Sequence, residues 1–131
     1  MYGKMNPEFK AKWLAALRSG EYKQIEGALR LVEYDKVGYC CLGVACEISG
    51  QGTWVPYAYG SAALGFRLND DFLPEELGGR YNTARIPLTL RHFLGISQEA
   101  EDLVLQMNDG NYGETAPKTF TEIAQWIEEN L

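Results

Sequence analysis

The sequence predicts an α+β fold: a single mainly helical domain covering residues 1–131, with a small antiparallel β-hairpin or sheet. Three observations lead there. Both ends of the chain carry capped, amphipathic helix signals, residues 27–41 read as two short strands around a turn, and 46% hydrophobic residues in 131 supply one contiguous core.

The first helix is expected over Pro7 to Arg18. Asn6 is a good cap, Pro7 occupies a position that needs no amide donor, and Glu8 suits the positive helix start. Phe9, Trp13, Ala16 and Leu17 recur at helical spacing, and Gly20 ends the run. Ala28 to Tyr34 and Val37 to Cys40 then read as a hairpin with its turn near Asp35 and Lys36. Cys40 to Ile48 is apolar all round until Glu47, which suits a short central helix or a buried strand, the helix being favoured with Gly50 near its end. Residues 50–85 form an irregular insert rich in glycine and aromatics, expected as loop with short strands at most. Helices are expected again over Pro87 to Leu94, stopped by Gly95, and over Ser97 to Met107 with Ala100, Leu103, Val104 and Met107 inward. A last helix starts at Phe120, where Thr119 and Glu122 make a capping box, with Phe120, Ile123, Ala124 and Ile127 facing the core.

Composition narrows the function classes. The formal net charge of -6 and a pI of about 4.8 oppose a phosphate backbone and an anionic membrane, so neither nucleic acid nor membrane is expected as partner. Lys4, Lys10, Lys12, Arg18, Lys23 and Arg30 nevertheless concentrate positive charge in the first thirty residues, which leaves room for a small anion. No stretch reaches the roughly 18 apolar residues of a membrane span. The polar start lacks the apolar middle of a secretion signal, so the cytoplasm is the expected compartment. Cys40, Cys41 and Cys46 fit no disulfide framework and are expected to be reduced.

Several groups could carry chemistry. A cysteine at a helix start can have a lowered pKa, so Cys40 or Cys41 could act as a nucleophile with His92 as base and Asp70, Asp71 or Asp109 as orienter. The rival reading is three small apolar side chains filling a tight contact beside Gly43, and it is the favoured one. Cys40, Cys41, Cys46 and His92 lack the spaced pairs of a zinc site, and the loop from Asp109 has Phe120 where a calcium loop needs a carboxylate, so no metal or other cofactor is expected. Asn108 and Asp109 are expected to end a helix with their side chains near a cleft. Trp54, Tyr57 and Tyr59 with Arg67 suggest a stacking platform for a base beside a cation for phosphate.

Two strings stand out together. Lys12-Trp13-Leu14-Ala15-Ala16-Leu17-Arg18-Ser19-Gly20-Glu21-Tyr22-Lys23-Gln24 leads to Ala28-Leu29-Arg30 and Tyr39-Cys40-Cys41-Leu42-Gly43-Val44, and Met107-Asn108-Asp109 is followed by Phe120-Thr121-Glu122-Ile123-Ala124. In these the chain resembles a family of small proteins of uncharacterised function from tailed phages and prophages. The resemblance implies a setting, in which Arg18, Tyr22, Lys23, Gln24, Arg30, Asn108 and Asp109 become candidates for a shared surface. The expected function is therefore a non-enzymatic accessory protein of phage origin. It would act in the host cytoplasm, as a monomer or homo-oligomer, by binding a small anionic, nucleotide-like ligand or a host protein, for example to counter host defence. Lys23, Arg30 and Arg67 would neutralise phosphate, Trp54, Tyr57 or Tyr59 would stack on a base, and Asn108 and Asp109 would line the site. A cysteine-dependent hydrolase or transferase and a purely structural module are the alternatives.

Overall fold

A computed structural model describes residues 3–58, 60–69, 81–111 and 114–131. The first helix, α1, spans Pro7–Arg18, and the Asn6 side-chain oxygen Oδ1 accepts from the amides of Glu8 and Phe9 at 3.0 and 3.1 Å. Phe9, Trp13 and Leu17 form its buried face. Strands β1 (Lys23–Gln24), β2 (Arg30–Glu33) and β3 (Lys36–Tyr39) follow, then helix α2 (Cys41–Ser49). Residues Cys41 to Cys46 of α2 are all buried, as an apolar-all-round segment requires, and Gly50 closes the helix in a left-handed conformation with φ 65°.

Two further strands, β4 (Gly52–Pro56) and β5 (Ala63–Leu68), pair in five registered positions from Gly52↔Leu68 to Pro56↔Leu64. The short β6 (Tyr81–Asn82) pairs with β5. The chain ends in α3 (Leu88–Leu94), α4 (Gln98–Asp109) and α5 (Phe120–Asn130). At the start of α5 the Thr119 hydroxyl accepts from the Glu122 amide at 3.2 Å, and the Glu122 carboxylate accepts from the Thr119 amide at 3.0 Å.

The fold is α+β. Its sheet is larger than the small antiparallel hairpin or sheet expected: among the described residues it has six strands in the order β1-β3-β2-β5-β4 with β6 beside β5, all antiparallel except β1 on β3. Helices take 44% and strands 22% of the described residues. The difference lies in β4 and β5, where loop was expected. Trp54 and Val55 alternate about the strand, as do Leu64, Phe66 and Leu68 with Gly65 and Arg67, but the surrounding glycines mask that period-two pattern.

Paired residues share a face of the sheet. Arg30, Tyr39, Leu64, Phe66 and Trp54 therefore lie on one side, and Lys23, Gly38, Leu31, Ala63 and Arg67 on the other. Tyr39, Phe66 and Leu68 join the core with the helices, which defines the inner face. The hairpin turn falls on Tyr34 and Asp35, one residue earlier than expected, with φ 49° and 73°. A two-residue turn of this hand suits the strand twist, but tyrosine in the left-handed region costs about 1 kcal/mol.

Helix α4 buries Ala100, Glu101, Val104 and Asn108, while Leu103 and Met107, expected inward, are half-buried. The face is rotated because two polar side chains find partners inside. Glu101 accepts from Arg85 Nη1 at 3.2 Å, the Ile86 amide at 3.1 Å and Arg91 Nη1 at 3.5 Å.

Among the described glycines, Gly43 is the most tightly enclosed, where α2 meets the chain entering β2. A Cβ added to Gly43 would lie 1.8 Å from the Leu29 carbonyl oxygen, a backbone atom that cannot step aside. Gly43→Ala should lower the unfolding free energy by about 3 kcal/mol or more, measured by urea denaturation. A change below about 1 kcal/mol would mean that α2 can slide away from this contact.

Candidate functional site

The sequence candidates separate into four places. At the inner face of the sheet, the Arg30 guanidinium lies 5.6 Å from the centroids of both Tyr39 and Trp54, and its Nε donates to the Tyr39 hydroxyl at 3.2 Å. Register explains the triad. Arg30 is opposite Tyr39 across the hairpin and opposite Leu64 on β5, and Leu64 in turn faces Pro56 two residues from Trp54. Tyr22 packs edge-on against Tyr39 at 5.3 Å, Tyr39 meets Trp54 at 6.0 Å, and Trp54 meets Phe66 at 4.9 Å, so an aromatic row runs from the exit of α1 to β5. The Trp54 indole donates to Glu47 Oε2 at 2.8 Å, which fixes the ring. Partial burial, then the nearby Glu47 carboxylate and Tyr39, raise the Tyr22 pKa. Arg30 has no carboxylate partner among the described residues.

Lys23 and Arg67 lie on the opposite, outer face, so the register does not join them with Arg30 and Trp54 in one site. Arg67 stacks on Tyr81 at 5.7 Å, above Gly65, where a Cβ would strike that ring. Tyr57 is 68% exposed just beyond β4. Tyr59, Asp70 and Asp71 fall outside the described residues.

Asn108 is fully buried and fastens the fold, so it is not available to a ligand. Its side-chain oxygen Oδ1 accepts from the Cys41 amide at 3.0 Å and Gln24 Nε2 at 3.1 Å, and its Nδ2 donates to the Ile25 carbonyl at 2.8 Å and Asp109 Oδ1 at 2.9 Å. Gln24 continues the network, donating to the Lys118 carbonyl at 2.7 Å and accepting from the Phe120 amide at 3.0 Å. Asp109 Oδ1 also accepts from the Gly27 amide at 3.4 Å. Arg18 is engaged too, in an ion pair with Glu128 at 3.1 Å.

The cysteines are interior. Cys40 caps α2, its sulfur accepting from the Gly43 amide at 3.4 Å, and the Cys41 thiol donates to the Val104 carbonyl at 3.4 Å. Burial pushes the Cys40 thiol from 9.0 up to about 12, outweighing the helix-start amides that favour thiolate. Burial likewise holds Cys41 and Cys46 well above the ordinary value. His92 is exposed on α3 with Arg91 Nη2 at 3.4 Å. The low-pKa thiolate that the hydrolase alternative needs is thus opposed by desolvation.

Sequence reasoning overlooked Tyr39 and Glu47 as neighbours of Arg30 and Trp54. A turn assigned to Tyr34 and Asp35 would have paired Arg30 with Tyr39 directly.

Asn108→Ala should destabilise the protein by about 3 kcal/mol, because it leaves the buried Cys41 amide and Ile25 carbonyl unpaired, as thermal or urea unfolding would register. The thiols make a second prediction. Their folded pKa values are raised, so the unfolded chain loses these protons first as pH rises. Stability is flat below the ordinary value of 9.0 and falls above it by about 1.4 kcal/mol per pH unit for each thiol. Replacing Cys46 with Ala should reduce that alkaline slope by about one thiol's share, and a limiting thiol reagent at neutral pH should label all three cysteines slowly. Fast labelling of Cys40 or Cys41 would restore the nucleophile.

No curated protein and no solved structure matches the chain. A family model described as a domain of unknown function, DUF8296, matches residues 5–131, and the chain belongs to that family.

Proposed function

We propose that the protein is a non-enzymatic binding protein that captures a small anionic, nucleotide-like ligand at Arg30, in the setting of a phage-encoded accessory protein acting in its host. One observation carries the reading. A half-buried guanidinium lies over two neighbouring aromatic rings, their centroids each 5.6 Å from its carbon, with a tyrosine hydroxyl on its Nε and no acid to neutralise it among the described residues.

The chemistry follows from that arrangement. Arginine offers a planar fork of donors suited to two phosphate oxygens, and the Nε contact with Tyr39 leaves the terminal nitrogens to provide it. Partial burial strengthens such a contact relative to open water. The adjacent Trp54 and Tyr22 rings, both half-buried, give a planar base an apolar surface to stack against. Glu47, bonded to the Trp54 indole and close enough to Tyr22 to raise its pKa, disfavours a ligand whose negative charge extends along these rings. The outer-face residues Lys23 and Arg67 play no part in this version of the site, and neither do the structural Asn108 and Asp109.

Native mass spectrometry with a mixture of cyclic and linear nucleotides tests the reading. The expected result is one added ligand mass per chain. In calorimetric titration with the retained nucleotide, Arg30→Gln should weaken binding about tenfold while moving the unfolding free energy by less than about 1 kcal/mol. Full retention of affinity in Arg30→Gln, or no nucleotide held by the native protein, would remove the assignment.

A further inference from the structure

We infer that the outer face of the β2–β3 hairpin is a docking surface for an extended, acidic segment of a partner protein, anchored by Tyr34. This surface lies on the other side of the sheet from Arg30, so the inference does not depend on the nucleotide reading.

The surface is built from register. Lys23, Gly38 and Leu31 form one row across β1, β3 and β2, and Lys36 and Glu33 form the next row toward the hairpin tip. Together with Ile25 and Tyr34 they line a groove of about 290 Å³. Gly38 shapes its floor: a Cβ there would lie 2.3 Å from Ile25 Cγ2, so only glycine lets the isoleucine lie across the strand as a wall. The floor is thus apolar and its rim carries two ammonium groups against one carboxylate.

Three further observations select the occupant. Lys23 and Lys36 have no ion-pair partner among the described residues, so with Glu33 the groove lining carries one net positive charge on a chain whose net charge is -6. Its complement is acidic. Strand β1 covers β3 only at Gly38 and Tyr39, leaving the Lys36–Val37 end without a described strand on that side, where an extended segment can add its own backbone hydrogen bonds. Finally, Tyr34 is 94% exposed and sits at φ 49°, a position glycine or asparagine fills without strain. A large aromatic held at a strained turn with almost nothing from its own chain around it has the properties of an interface anchor.

Fluorescence anisotropy with a labelled peptide of alternating glutamate and leucine provides the test, beside the matching lysine and leucine peptide and a labelled oligothymidylate. The glutamate peptide should bind saturably at low salt, against the repulsion of the whole chain, and the lysine peptide should not compete for the groove. Lys23→Gln with Lys36→Gln should weaken it about tenfold, whereas the charge-matched pair Lys4→Gln with Lys12→Gln on the helical side should leave it within about twofold. Tyr34→Gly should weaken binding while raising the melting temperature by a few degrees, a combination that a merely structural tyrosine would not give. The inference falls if the glutamate peptide does not bind, if it binds the Lys23→Gln, Lys36→Gln protein equally well, or if oligothymidylate takes the same lysines instead.

Discussion

The backbone of Cys41 is the point on which the packing of this molecule depends. Its two backbone groups are bonded to different helices: the amide donates to Asn108 on α4 at 3.0 Å and the carbonyl accepts from the Trp13 indole on α1 at 3.0 Å, while the thiol adds a second bond to α4, donating to the Val104 carbonyl at 3.4 Å. At a helix start the first amides have no partner within the helix, and burying one without a substitute is costly. Asn108 supplies the substitute from another helix, so the local requirement of α2 becomes a tertiary clamp. The same side chain holds the Ile25 carbonyl and Gln24, and Gln24 reaches the Phe120 amide at the start of α5. One buried amide thereby ties together β1, α2, α4 and α5.

A second buried polar centre does similar work at the other end of α4. The Glu101 carboxylate is 2% exposed and would be intolerable alone in an apolar interior. Its two oxygens instead receive Arg85, Arg91 and the Ile86 amide, and Arg85 also pairs with Asp102. This pins the chain entering α3 against α4. Such a centre adds little net stability compared with apolar packing, but removal of either partner leaves an uncompensated charge, so it specifies how α3 and α4 meet.

What could be read from sequence was local. The Asn6-Pro7 start, the Thr119 and Glu122 capping box and Gly50 as a helix stop are each decided by residues within one turn, and the structure has all of them. The all-apolar cysteine segment was legible as buried on every side, with helix favoured over strand, because a run without polar interruptions has no face to offer solvent. Non-local features were not. The pairing of β4 with β5 is hidden by glycines, whose lack of a side chain erases the alternation. The rotation of α4 depends on polar partners from distant segments, which turn Glu101 and Asn108 inward against their usual preference. A one-residue error in the turn has the largest consequence for function, because period-two alternation moves every side chain of a slipped strand to the other face. A turn on Asp35 and Lys36 would pair Arg30 with Cys41 and lose the contact with Tyr39 that fixes the guanidinium.

The register also explains why the cationic residues of the sheet do not form one site. Arg30 lies on the inner face at the border of the core, where aromatic rings are already packed and a guanidinium can stack on them without full desolvation. Lys23, Lys36 and Arg67 lie on the outer face, where lysine ammonium groups stay hydrated. Burial falls along the hairpin from Tyr39 through half-buried Val37 to exposed Lys36 and Tyr34, so the tip stands clear of the hydrophobic core while its strands remain hydrogen-bonded to each other. A side chain presented this way has lost much of its freedom before any partner arrives, and the entropy cost of association is correspondingly smaller. The energetic weight of the fold lies in the helices and the buried amide network, which leaves the hairpin free to carry groups whose placement contributes nothing to the core.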